Sequence, residues 1–153
     1  MLLEGKRIFV VEDNLENRIV VEVLLREQGA HVWHDRWGQQ TVERLKACAP
    51  VDLVLLDLMF PKGITGYDIF DQIRAEQDFE QIPIVAISAS DASEAIPKTR
   101  DKGFAGFISK PISVDKLPNQ VKEYLDGRQD RAGGCFSLFG QNFKRADVNF
   151  YQL

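Results

Sequence analysis

Residues 51–60 read Val-Asp-Leu-Val-Leu-Leu-Asp-Leu-Met-Phe. Four apolar residues, Leu53 to Leu56, run directly into Asp57, and Leu58, Met59 and Phe60 follow it. A carboxylate is rarely buried among apolar side chains unless a cation or hydrogen-bond donors match it. Either Asp57 ends a buried strand at a rim where its charge is used, or the apolar run is not a strand. The segments on either side decide between these readings.

Short apolar runs alternate with amphipathic stretches along most of the chain. Arg7–Val11 reads as a first buried strand. Leu15, Ile19, Val23 and Arg26 then recur at helical spacing up to a stop at Gly29. A second strand is expected at Ala30–Asp35, followed by a helix through residues 39–49 that Pro50 ends. Val51–Asp57 is the third strand, and a loop with Pro61, Gly63 and Gly66 leads into a helix at 67–77. Ile82–Ser88 is the fourth strand, and a weaker helix runs from Ala92 to Lys102, closed by Gly103. The fifth strand is Gly106–Lys110 and the fifth helix spans 113–127. Proline breaks a helix interior, so Pro97 predicts a fourth helix that is short, late-starting or kinked. Pro118 predicts a fifth helix beginning near Leu117.

Val-, Ile- and Leu-rich strands alternating with helices imply a parallel sheet covered on both faces. Five such units predict a doubly wound α/β domain over residues 5–126, with 127–153 as a C-terminal tail. The formal net charge of −4 argues against general nucleic-acid or anionic-membrane binding. Cys48 and Cys135 have no metal-site spacing, and no apolar run is long enough for a bilayer span. These features predict a cytoplasmic protein.

In open parallel sheets the ligand site lies beyond the carboxyl ends of the strands. The residues expected there are Glu12 and Asp13, Asp57, Ser88 and Lys110. Three neighbouring carboxylates repel one another and call for a cation, and Mg²⁺ favours such oxygen donors. An aspartate can attack a phosphoryl group to form an aspartyl phosphate. A hydroxyl and an ammonium, as in Ser88 and Lys110, suit the phosphoryl oxygens. His31 and His34 lie on the second strand, away from this rim.

With these residues placed, the chain resembles the receiver domain of two-component response regulators. Phe9–Asn14 is similar to the family's acidic-pair motif and Leu53–Pro61 to its phosphoacceptor motif. Val85–Ser90 is similar to its Ser/Thr strand, and Gly106–Ile112 to its Lys-Pro motif. The resemblance implies a flavodoxin-like sheet of order 2-1-3-4-5 and a phosphoacceptor at Asp57. It implies Mg²⁺ held by Glu12, Asp13, Asp57 and the Met59 carbonyl, with Ser88 and Lys110 contacting the phosphoryl group. It further implies a cis bond before Pro111 and an aromatic switch at Phe107, working with Ser88, although Phe107 is equally readable as fixed core. The expected partners are a histidine kinase or phosphotransfer protein and an unknown downstream protein, with no nucleic acid or membrane. Apart from its own phosphorylation and dephosphorylation, the chain is not expected to be an enzyme. A phosphorylation-independent scaffold, or a fragment of a larger regulator or hybrid kinase, are the alternative readings.

Two departures stand out. The loop from Phe60 to Asp68 is one residue longer than the common family pattern, and Pro97 interrupts the fourth helix. In the tail, Phe136, Phe139, Phe143, Ala146 and Phe150 fall at three- and four-residue spacing, an apolar helical seam that Gly140 weakens. Packing of this seam on the domain, a loosely ordered end, or a dimer or partner contact all remain open. Self-association through the tail, or through the face made by the fourth helix, fifth strand and fifth helix, is a corresponding expectation.

Overall fold

The computed structural model describes residues 1–127; the tail seam expected at 136–150 lies outside the described residues. Five parallel strands form one sheet: β1 (Arg7–Val11), β2 (His31–Asp35), β3 (Leu53–Asp57), β4 (Ile84–Ser88) and β5 (Gly106–Ser109). Their order is β2-β1-β3-β4-β5, with all neighbours parallel. The helices are α1 (Leu15–Glu27), α2 (Thr41–Cys48), α3 (Gly66–Arg74), α4 (Ala92–Lys102) and α5 (Leu117–Asp126). The expected doubly wound, flavodoxin-like architecture is therefore the observed one.

Side chains of a strand alternate between faces, and here both alternating sets are apolar. Phe9, Val54, Leu56, Ala86 and Phe107 pack with Leu45 of α2, Ile69, Phe70 and Ile73 of α3, and Ile96 of α4. Ile8, Val10, Leu53, Leu55, Val85 and Ile108 pack with Val21 and Leu25 of α1 and Leu117 and Val121 of α5. This two-sided burial is why β3 and β4 read as unbroken apolar runs. Leu3, in the turn that precedes β1, is also buried on the α1 side, and its N–H donates to the Gln28 carbonyl.

Two helices differ from the sequence expectation. The residues whose spacing marks α1 do not form its buried face. Leu15, Ile19 and Val23 are about half exposed, and Val21 and Leu25 face the sheet. Helical spacing shows that residues share a face, but not which side of the helix meets the core. The fourth helix is neither short nor late. It runs 11 residues from an Asp91 N-cap, whose carboxylate accepts from the Ser93 N–H, to Gly103 at φ 109°, with Pro97 inside. Both caps hold the helix ends, which offsets the main-chain bond that Pro97 cannot donate. The fifth helix begins at Leu117, with Pro118 in its first turn, as expected.

On the outer edge of the sheet, the carbonyls of Val32 and His34 are met by arginine side chains. Arg26 Nη2 of α1 donates to Val32 at 2.9 Å, and Arg44 Nη1 of α2 donates to His34 at 3.2 Å.

Gly106 sits where α5 crosses β5. A Cβ there would overlap the buried Tyr124 ring, whose hydroxyl donates to the Phe107 carbonyl. Overpacking of this kind costs about 1–3 kcal/mol. Gly106→Ala is therefore expected to lower the urea midpoint with little change in slope. Tyr124→Leu added to Gly106→Ala should recover part of the loss, and an unaltered midpoint in the single variant would refute the close packing.

Candidate functional site

Each residue expected at the rim stands at the carboxyl end of a strand or just beyond it. Glu12 and Asp13 follow β1, Asp57 closes β3, Ser88 closes β4, and Lys110 follows β5. Glu12, Asp57 and Ser88 are buried, while Asp13 and Lys110 are partly accessible. The opening question is thereby answered: Asp57 ends a buried strand, but at a place where a cation meets it. Lys110 Nζ lies 2.9 Å from Asp57 Oδ2 and 2.8 Å from Glu12 Oε2. The Lys110–Pro111 bond is cis, as expected, and a second cis bond joins Ala49 to Pro50.

The main chain holds the carboxylates from the other side. The Met59 N–H donates to Asp57 Oδ1 at 3.1 Å, and the Asn14 N–H donates to Glu12 Oε1 at 3.1 Å. Asn14 also caps α1, its side chain accepting from the Asn17 N–H, so the acidic pair is tied to the start of that helix. The longer loop after β3 closes on itself through a short 3-10 turn at Pro61–Gly63 and a bridge between Met59 and Thr65. Thr65 and Asp68 form a reciprocal capping box at the start of α3. The Gly66 N–H donates to the Leu58 carbonyl at 2.9 Å. A Cβ on Gly66 would run into the Asp57 carbonyl and lie 2.7 Å from Leu58 Cα, so a glycine permits the loop's approach to the aspartate.

Oxygens of Glu12, Asp13 and Asp57 can all lie within 4.8 Å of one another. Lys110 pairs with two of these three carboxyl groups, which leaves the cluster short of positive charge. Burial, with the Asp57 charge adding to it, pushes the Glu12 carboxyl from 4.5 up to about 7, and Lys110 and the Asn14 N–H only partly oppose this. For Lys110, burial works against the charged form, but the hydrogen bonds and charges of Glu12 and Asp57 outweigh it and raise its pKa. Hard oxygen donors with excess negative charge fit a small divalent cation.

Ser88 and Phe107 are both fully buried. Ser88 Oγ donates to Ser90 Oγ at 2.8 Å and accepts from the Ser90 N–H at 3.0 Å. Phe107 pairs in register with Ala86 and points into the core on the α2–α3–α4 side. Met59 presents an exposed side chain beside the site. His34 lies 2.6 Å from Glu22 and, with His31, is on β2 away from the acids.

Sequence reasoning passed over Asp35. It is buried at the end of β2 and accepts from the Trp37 and Gln40 N–H groups and the Thr41 hydroxyl. Its carbonyl accepts from the Glu12 N–H at 3.3 Å, so it shapes the loop beside the acidic pair. An acid ending a strand six residues before a helix-starting Thr was the available signal.

A family profile described as the response regulator receiver domain matches residues 8–122. The polar-differentiation response regulator DivK of Brucella ovis is 28% identical over 120 residues, covering 78% of this chain and 96% of that protein. The receiver domain of a Pseudomonas aeruginosa sensor histidine kinase, solved with a magnesium ion coordinated in its active-site cleft, is 28% identical. It has a TM-score of 0.70, with 80% of this chain and 98% of that one covered. NtrX from Brucella abortus shares the fold, with a TM-score of 0.75 at 23% identity; the match covers 84% of this chain and 28% of that one.

A carboxyl whose pKa is raised on folding binds protons more tightly in the folded state. Its stabilising effect is present below pH 4.5 and is lost as pH rises to about 7. In the presence of a chelator, wild-type stability is therefore expected to fall relative to Glu12→Gln across that window, by up to about 3 kcal/mol. Urea unfolding of both proteins at several pH values measures the difference, and a flat difference would contradict the burial of a strained carboxyl.

Proposed function

The chain belongs to the response regulator receiver domain family, and from that premise we propose that it is a phosphorylation-dependent signalling switch. The observation that carries this reading is the Lys110 ammonium placed between Asp57 and Glu12. It pairs with the Asp57 carboxylate and leaves a cation at hand for an incoming phosphoryl group.

The phosphodonor in this reading is a phosphohistidine on a histidine kinase or phosphotransfer protein. An Asp57 carboxylate oxygen attacks phosphorus, and the phosphorus–nitrogen bond breaks with its electron pair leaving on the imidazole. No general base is needed, because an ionised carboxylate carries no proton to remove. Glu12, Asp13, Asp57 and the Met59 carbonyl would hold Mg²⁺, which when bound neutralises charge on the phosphoryl oxygens. Lys110 shifts its contacts from Glu12 toward the new phosphoryl oxygens.

Ser88 contacts the phosphoryl group only by giving up its two hydrogen bonds with Ser90. In the proposed switch that rearrangement vacates space into which Phe107 turns. The face formed by α4, β5 and α5 then presents a different surface to a downstream protein. The dianionic character and strong acceptor oxygens of the phosphoryl group supply the differential interaction that such a change requires. The chain's chemistry in this reading is limited to its own phosphorylation and dephosphorylation.

Incubation with Mg²⁺ and acetyl phosphate should add a single phosphoryl mass to the intact protein. The adduct should be absent in Asp57→Asn and after chelation of the metal. Lys110→Ala should still take up some phosphoryl group but show a reduced change in Phe107 environment, followed by side-chain NMR. A folded wild type that shows neither an adduct nor beryllofluoride binding would overturn the switch and favour a constitutive scaffold.

A further inference from the structure

A cleft of about 520 Å³ lies between β2 and α2, with β1 separating it from the strand that carries Asp57. Phe9, Trp33, Ala47 and Cys48 give it an apolar lining, and Arg26 and Arg44 stand in the same wall. Small-molecule sites have this make-up, a concave apolar body of about 300–1,000 Å³ with a few placed polar groups.

We propose that this cleft binds a small molecule with a flat apolar body and one carboxylate or phosphate group. Three observations point to that ligand. The first is charge. Among the described residues the lining holds two guanidinium groups and no carboxylate, in a chain whose net charge is −4. Neighbouring acids are already engaged. Glu22 lies 2.6 Å from His34, and Asp35 accepts from the Trp37 and Gln40 N–H groups and the Thr41 hydroxyl. Asp35 also stands 3.8 Å from Arg44 Nε and offsets part of its charge.

The second observation is that both cations are held in place. Arg26 Nη2 is fastened to the Val32 carbonyl and Arg44 Nη1 to the His34 carbonyl, two residues apart on one strand, or about 7 Å. A guanidinium has five N–H donors in a fixed fork. Each arginine is therefore anchored by one donor and offers others to an oxyanion. The third is the aromatic floor. Arg7, which donates to the Cys48 and Pro50 carbonyls, lies over the Trp33 ring at 4.7 Å from its centroid. That contact holds the indole in one orientation and readies it to pack against a flat apolar group.

The scale fits a small ligand rather than a protein. Eight described residues line the cleft, whereas a protein partner covers about 20–30. Occupation of this site needs neither a metal ion nor phosphorylation of Asp57.

Titration of the isotope-labelled full chain with 2-naphthoate, followed by NMR, tests the site. The Trp33 indole N–H and the amides of Val32, His34 and Ala47 are expected to shift together, with a Kd of about 1 mM or lower. The exposed Trp37 indole should keep its position. A parallel titration with 2-naphthyl phosphate identifies the preferred anionic group by the tighter Kd. 2-Naphthamide, of the same shape without the charge, should bind about tenfold more weakly. Arg26→Gln and Arg44→Gln should each weaken naphthoate binding by about five- to tenfold. Ala47→Phe, at an exposed position of α2, should fill the cleft and abolish binding while the circular dichroism spectrum and urea midpoint stay those of the wild type. The absence of any shift at about 5 mM naphthoate, equal binding of the amide, or wild-type affinity in Ala47→Phe overturns the proposal. A response centred on Lys110 instead of Trp33 overturns it as well.

Discussion

The ammonium of Lys110, 2.8 Å from Glu12 and 2.9 Å from Asp57, is the contact on which the functional edge of the molecule depends. Without it two buried carboxylates would face each other across adjacent strand ends with no opposite charge to offset their burial. Its placement requires β1, β3 and the end of β5 to arrive at one edge, which the strand order provides. The sheet is thus more than a scaffold: its register sets the spacing of opposite charges. The raised pKa of Glu12 shows that this compensation is partial, and a partly compensated acidic site is one prepared for another cation.

Much of this was legible in the sequence because two-sided burial leaves a strong mark. Strands such as Leu53–Asp57 and Ile84–Ser88, covered on both faces, are apolar without interruption, and the polar residue that ends each one announces the sheet edge. Asp57, Ser88 and Lys110 could be placed for that reason before any coordinates. Asp35 could not be weighted in the same way. Its importance comes from accepting main-chain N–H groups and the Thr41 hydroxyl within a loop whose path no periodicity records. Ser90 is similar, since its hold on Ser88 is a matter of side-chain direction rather than spacing.

The helices carried weaker information, for two separate physical reasons. In α1 the apolar residues outnumber what one buried face can take, so periodicity reveals a helix while leaving its orientation unspecified. Val21 and Leu25 take the core, and the equally regular Leu15, Ile19 and Val23 are left in water. In α4 a local penalty at Pro97 was outweighed by well-formed ends, with Asp91 at one terminus and left-handed Gly103 at the other. Propensity speaks for single residues, whereas an element forms on the sum of its caps, its packing and its breaks.

The paired arginines on β2 have a consequence for assembly. An outer strand normally presents free carbonyl and amide groups that a foreign strand can join, extending one sheet into the next. Here Arg26 and Arg44 already occupy the outward carbonyls of Val32 and His34, and they do so from the two helices that flank the strand. A newcomer would have to unseat both guanidinium groups before it could form a ladder along that side. Growth of the sheet past β2 is therefore opposed at two of its outward carbonyls, by side chains whose release would have to precede any new backbone pairing there.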